Sequence, residues 1–95
     1  MSDANADDTV RRRRLVFRAW HRGTREMDLV MGRFADAHAA TLPAADLDAM
    51  EALLDAPDPE VFGWISGEKP VPANYDLPVL HQIRAFHGVG TTARG

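Results

Sequence analysis

Apolar residues recur along this chain with a helical period, and no segment of useful length alternates as a half-buried strand requires. From Arg11 to Arg22, Leu15, Val16, Phe17, Ala19 and Trp20 fill one broad side at about 100° per residue. Arg11, Arg14, Arg18 and Arg22 fall on the opposite side, within about 80° of one another. Gly23 interrupts the pattern where a helix end would place a residue in the left-handed region, which glycine enters without a Cβ penalty. Thr24 can then cap a second helix, with Glu26 and Asp28 in its first turn, where carboxylates complement the helix dipole. Its stripe, Met27, Val30, Met31, Phe34, Ala35 and His38, follows the spacing of one helical face without a gap.

A third helix is expected from Thr41–Pro43 onward, carrying Leu47, Met50, Leu53 and Leu54 inward and ending at Asp55-Ala56-Pro57. Asp58, Pro59 and Glu60 read as N-cap, N1 and N2 of a short fourth helix that holds Val61, Phe62, Trp64 and Ile65 and closes at Gly67. Residues 67–75 form the longest irregular stretch, stiffened by Pro70 and Pro72. A fifth helix, Asp76 to His87, is expected to bury Leu77, Leu80, Ile83 and Phe86. The expected fold is all-α, a small five-helix bundle in a single domain. Its boundaries read as a disordered acidic leader over residues 1–9, a helical domain over 10–88 and a flexible tail over 89–95.

Composition narrows this picture. The chain has 95 residues, enough for one core, and no cysteine, which removes disulfides, thiolate metal sites and cysteine nucleophiles. No apolar run approaches the roughly 18 residues that cross a bilayer, so no membrane insertion is expected. The start carries Asp3, Asp7 and Asp8 without a base, unlike a signal or transit peptide, and a cytoplasmic protein is expected. The net charge of −3 conceals a polarised distribution. Eight arginines lie within residues 10–33 against Glu26 and Asp28, whereas residues 34–95 hold nine acids against Lys69, Arg84 and Arg94. Such a chain presents basic surface from one element and acidic surface from the others.

Arg11 to Arg14 could engage phosphates as part of a nucleic-acid-binding module, but no base-reading helix or aromatic platform follows, and the remainder of the chain is acidic. His81 and His87 miss the i, i+4 spacing that places two imidazoles on one face, and no metal site is expected. Ser2 and Ser66, the only serines, have no catalytic partner indicated, and a His21–Glu26 acid–base pair lacks a substrate pocket. Arg22-Gly23-Thr24-Arg25-Glu26 stands apart, because a helix–helix corner needs only the glycine, yet this one gathers charges of both signs beside Trp20 and His21. Arginine and tryptophan are typical interface anchors, which makes the corner a candidate docking patch.

The R-G-x-x-E corner, the basic helix before it, and the later run from Leu53 to Trp64 resemble the succinate dehydrogenase assembly factors, the SdhE proteins of bacteria and their mitochondrial relative, assembly factor two. Asp28 matches a frequent acidic position of that family, and Lys69-Pro70 its turn before the last helix; Gly63 departs from a larger residue common there and is expected to loosen its helix. The likeness runs in order from Arg11 to His87. It implies a chaperone rather than an enzyme, a monomer that promotes covalent attachment of FAD to the flavoprotein subunit of succinate dehydrogenase and, in some bacteria, fumarate reductase. FAD is then the client's cofactor, none is held firmly by this chain, and neither nucleic acid nor a metal is a partner. Carried over by residue, the functional corner is Arg22, Gly23 and Glu26; Arg18, Trp20 and Arg25 are expected as neighbouring client contacts. On this reading the arginine stripe meets the client with Arg18 and Arg22 near the centre of the interface.

Overall fold

The computed structural model describes residues 2–88. Helix α1 spans Ser2–Trp20, α2 Arg25–His38, α3 Ala44–Asp55, α4 Asp58–Ser66 and α5 Pro78–Phe86, with a single 3-10 turn at Ala73–Tyr75. Among the described residues there is no strand. The stripes read from the sequence form the core: Met27, Met31, Phe34 and Ala35 of α2 lie against Leu15 and Ala19 of α1, Leu47, Met50, Leu53 and Leu54 of α3, Val61, Trp64 and Ile65 of α4, and Leu80 and Ile83 of α5. Each large side chain so buried contributes about 1.5–3 kcal/mol, and no polar side chain is buried among them. The irregular stretch after α4 is fastened by Tyr75, whose ring stacks on Trp64 at 4.7 Å.

α1 folds back along α2, and the two approach closely at one point. A Cβ on Gly32 would lie 2.2 to 2.6 Å from ring atoms of Trp20, so the bare glycine backbone is what admits the indole. Gly63 serves α4 in a similar way. The stem of Lys69 lies where its Cβ would be, and its carbonyl accepts the N–H groups of Gly67 and Lys69. The small residue therefore fastens the turn after α4, where a looser helix was expected.

Several other expectations are corrected. From Ser2 onward the acidic segment is helical, the first turns of α1 rather than a disordered leader over residues 1–9. Acids suit a helix N-terminus, and the Asp8 carboxylate accepts from Arg12 Nε at 2.7 Å one turn on. The tail at 89–95 lies outside the described residues. Phe17, expected inside, is 62% exposed, its ring stacked on His21 one turn on rather than set into the core. α5 begins at Pro78 with Leu77 as its N-cap; Val79 is buried, while Phe86 is exposed and Leu77 only half-buried.

The largest difference concerns the arginines. The row formed by Arg11, Arg18 and Arg22 faces a row of acids on α3 and at the start of α4 rather than solvent. Arg11 donates to both oxygens of Glu51, at 2.8 and 2.9 Å, and to Asp48; Arg18 donates to Asp55 at 2.6 Å. Arg12, on the flank toward α2, donates to the carbonyls of Ala39 and Leu42, which follow the last turn of α2. Only Arg13 and Arg14 of the four-arginine run are exposed with no hydrogen-bond or ion-pair partner among the described residues, so the run offers no continuous face to a phosphate backbone.

Two measurements test this packing. Gly32→Ala should lower the denaturant midpoint at unchanged slope, because displacing Trp20 costs about 1–3 kcal/mol and outweighs the gain of about 1 kcal/mol in helix propensity. An unchanged or raised midpoint would show that the indole is not seated there. The second concerns pH. Hydrogen bonds from Arg11 hold the Glu51 carboxyl below its ordinary value of 4.5. A depressed carboxyl stabilises the fold fully above its unfolded pKa and ceases to do so as pH falls through the folded one. The stability difference between wild type and Glu51→Gln should thus be present at pH 7 and vanish on acidification below 4.5.

Candidate functional site

The corner between α1 and α2 is built from short-range bonds that determine where each side chain goes. α1 stops at Trp20, and the N–H of His21 still reaches the Arg18 carbonyl at 3.2 Å. Gly23 turns the chain with φ +110°, a conformation that residues with a Cβ rarely adopt. Thr24 is extended and caps α2, its Oγ1 accepting from the Met27 N–H at 3.3 Å. Asp28, one turn into α2, accepts the backbone N–H of Arg22 at 2.5 Å, which closes the corner on itself.

Arg22 then ties that corner to the other half of the molecule. Its Nε and Nη2 donate to the Asp58 carboxylate at 3.1 and 2.8 Å, and Nη2 donates also to the Leu54 carbonyl at 2.7 Å. The last turn of α3 has no basic residue of its own, so Arg22 supplies the cation its terminal carbonyls favour. The pair is well covered, with side-chain exposures of 13% for Arg22 and 18% for Asp58. Asp58 is accordingly not the N-cap of α4. Pro57 occupies that position without a side-chain bond, and Asp58 is the first helical residue. The bond to the shielded guanidinium has charge on both partners, whereas a cap would pair the carboxylate with an uncharged N–H.

The expected site residues therefore divide into two groups. Arg22 is engaged inside the protein, Arg18 pairs at the surface with Asp55, and Trp20 is half-buried over Gly32. Arg25 and Glu26 are exposed at the start of α2, and neither side chain has a hydrogen-bond or ion-pair partner among the described residues. His21 does not pair with Glu26: its Nδ1 meets the Phe17 carbonyl at 2.7 Å and its ring stacks on Phe17 at 4.0 Å. Beside Glu26 lies a shallow concavity of about 300 Å³, with Met27, Pro59 and Phe62 as its apolar lining and Thr24, Glu26 and Asp58 at its polar edge. The arrangement offers one unpaired carboxylate, held on a rigid first turn, next to an apolar recess. Among the described residues, no group of histidines and carboxylates is gathered as a metal would need.

Asp58, Gly32 and Phe62 were not singled out from the sequence as parts of the site, and Asp28 was noted only as a matching acidic position. One signal was available for the acids. Asp48, Glu51, Asp55 and Asp58 recur every three or four residues, a row whose order matches Arg11, Arg18 and Arg22.

The family model described as flavinator of succinate dehydrogenase matches residues 13–87. The FAD assembly factor SdhE of Acetobacter pasteurianus is 47% identical over 80 residues, which is 82% of this chain and 73% of that protein. The mitochondrial succinate dehydrogenase assembly factor 2 of Mycosarcoma maydis is 42% identical over 62 residues, 65% of this chain and 26% of its own. That of Dictyostelium discoideum is 33% identical over 73 residues, 77% and 52% of the two chains. No solved structure matches.

The Arg22–Asp58 clamp has a measurable energy. Arg22→Ala leaves the Leu54 carbonyl and the Asp58 carboxylate without their donor and should destabilise by about 1–3 kcal/mol. Arg22→Lys should recover little, because one ammonium does not reproduce the forked contact with carboxylate and carbonyl. In a double-mutant cycle with Asp58→Ala, read by urea unfolding, the two losses should be strongly non-additive. Additive losses would show that the residues act apart.

Proposed function

The chain belongs to the family described as flavinator of succinate dehydrogenase, and on that premise we propose that it acts as an FAD assembly factor. It binds the flavoprotein subunit of succinate dehydrogenase and promotes covalent attachment of FAD to that subunit. The observation that carries this reading is the division of labour at Arg22-Gly23-Thr24-Arg25-Glu26, where the arginine is anchored internally and the glutamate is exposed and unpaired among the described residues. Arg22 is a positioning residue on this account. It locks the corner to α3 and α4, so that Glu26 is presented to the client at a fixed angle.

FAD supplies the electrophilic 8α carbon to which a client histidine becomes bonded, and that chemistry belongs to the cofactor. The recess beside Glu26 does not suit a dinucleotide held by this chain. Its polar edge carries two carboxylates, which repel a pyrophosphate, and the nearby Arg22 is already engaged by Asp58. FAD is therefore assigned to the client. The task left to this chain is positioning: holding the client's parts so that histidine and flavin meet in a near-attack arrangement, with the Glu26 carboxylate fixed at the contact. Arg25, also unpaired and adjacent, contributes a second charge to the docked surface. No helix among the described residues is long and apolar enough to cross a membrane. The working form is read as a cytoplasmic monomer.

Glu26→Ala tests the assignment. The loss of a first-turn carboxylate costs about 0.3–1 kcal/mol, so helix content and cooperative unfolding should persist. Covalent flavin in the co-expressed flavoprotein subunit, read as fluorescence of the denatured band, should fall sharply. Full flavinylation with the folded variant would contradict the assignment.

A further inference from the structure

The recess beside Glu26 is half of a longer feature. A second concavity of about 220 Å³ lies on the other side of the same two residues, Glu26 and Phe62, and continues past Leu29 and Val30 of α2 to Arg33 and His87. Together they make a two-lobed groove between the outer face of α2 and the neighbouring α4 and end of α5, with Phe62 as the ridge between the lobes. Glu26, Leu29 and Arg33 stand on one line of α2. The carboxylate and the guanidinium are separated along the helix by about 10 Å, seven residues at 1.5 Å each. Arg33, like Glu26, is exposed with no hydrogen-bond or ion-pair partner among the described residues. Other charges near the corner are engaged within the chain: Arg22 is paired with Asp58 and Arg18 with Asp55, and the Asp28 carboxylate accepts the backbone N–H of Arg22. The free charges of the groove are thus of opposite sign at a set separation, with apolar surface beside each.

We infer that this groove, and not the R-G-x-x-E corner alone, is the seat for one segment of the flavoprotein client. Such a segment places a basic side chain against Glu26, an acidic one against Arg33, and an apolar side chain in each lobe on either side of Phe62. The inference rests on the functional reading above and adds to it the extent of the interface and the chemistry of what fills it. Charge complementarity sets the register of the segment, and an opposite-charge pair spaced to match is what separates a correct client from an arbitrary apolar peptide. The aromatic ridge at the centre of the groove is where truncation should cost most. His87 closes the far lobe and is held there, its Nε2 lying 2.8 Å from the Val30 carbonyl.

The test is a titration of the full chain and its variants against the apo flavoprotein subunit, with covalent flavin measured in parallel. Phe62→Ala and Arg33→Glu should each weaken binding by about tenfold or more. Arg13→Ala, a control at an exposed position of α1 outside the arginine stripe, should stay near wild type. Arg33 is exposed and unpaired among the described residues, so Arg33→Glu should fold even where Phe62→Ala proves unstable, and that variant then decides the matter. Unchanged affinity for folded Arg33→Glu, with Glu26→Ala still blocking flavinylation, would overturn the groove while leaving the corner's role intact. A wild-type chain that neither binds the subunit nor promotes flavinylation would remove the functional reading, and this inference with it.

Discussion

The ion-pair ladder between α1 and the acids of α3 and α4 is the constraint on which the rest of this structure depends. A five-helix chain of this length has a modest core, and among the described residues α1 gives that core only Leu15 and Ala19 as fully buried side chains. What sets α1 in place are Arg11 on Asp48 and Glu51 and Arg18 on Asp55, with Arg22 of the corner just after it on Asp58. These pairs are not equivalent. The Arg18–Asp55 pair is open to water, with the Asp55 side chain 71% exposed, and such pairs contribute little. Arg22–Asp58 is shielded and also satisfies a helix-terminal carbonyl, so the strongest rung lies at the corner.

That placement explains why a single exposed carboxylate is a workable functional group here. A charge at the tip of a flexible loop would have to be ordered on binding, at a cost in side-chain and backbone entropy. Glu26 instead stands on a helix whose first turn is capped by Thr24, whose preceding residues are closed by Asp28, and whose corner is anchored across the molecule by Arg22. Gly23 supplies the one backbone conformation this requires. The polarised charge along the sequence thus has an internal use: Arg11, Arg18 and Arg22 are paired with acids of α3 and α4, while Arg13, Arg14, Arg25 and Arg33 have no partner among the described residues.

The helices and most of the core were legible in the sequence because their signal is periodic and local. Met27, Met31, Phe34 and Ala35 are buried as their spacing requires. The corner was legible too, through Gly23 and Thr24. What escaped depends on contacts between distant segments. Periodicity places Phe17 on an apolar side of α1, but it does not report that no helix covers that side. Asp58 beside Pro59 has the pattern of an N-cap, and only the approach of Arg22 from 36 residues away turns its carboxylate elsewhere. Gly32 looks like an ordinary helical residue until the Trp20 ring is placed over it. The arginine stripe was seen, but its direction was misjudged, since a row of like charges reads as solvated unless the complementary row of acids is aligned with it.

The central claim is that Arg22 works from inside, as the anchor of the corner, and not as a contact with the client. The most direct measurement is the NMR signal of the Arg22 Nε–H, recorded in the free chain and in complex with apo flavoprotein subunit, with Asp58→Asn as the reference for a weakened clamp. The account predicts a slowly exchanging guanidinium proton in the free protein, sensitive to Asp58→Asn and little changed in shift or exchange rate when the client binds. A signal that is already in fast exchange in the free chain, or one that loses its dependence on Asp58 in the complex, would contradict it.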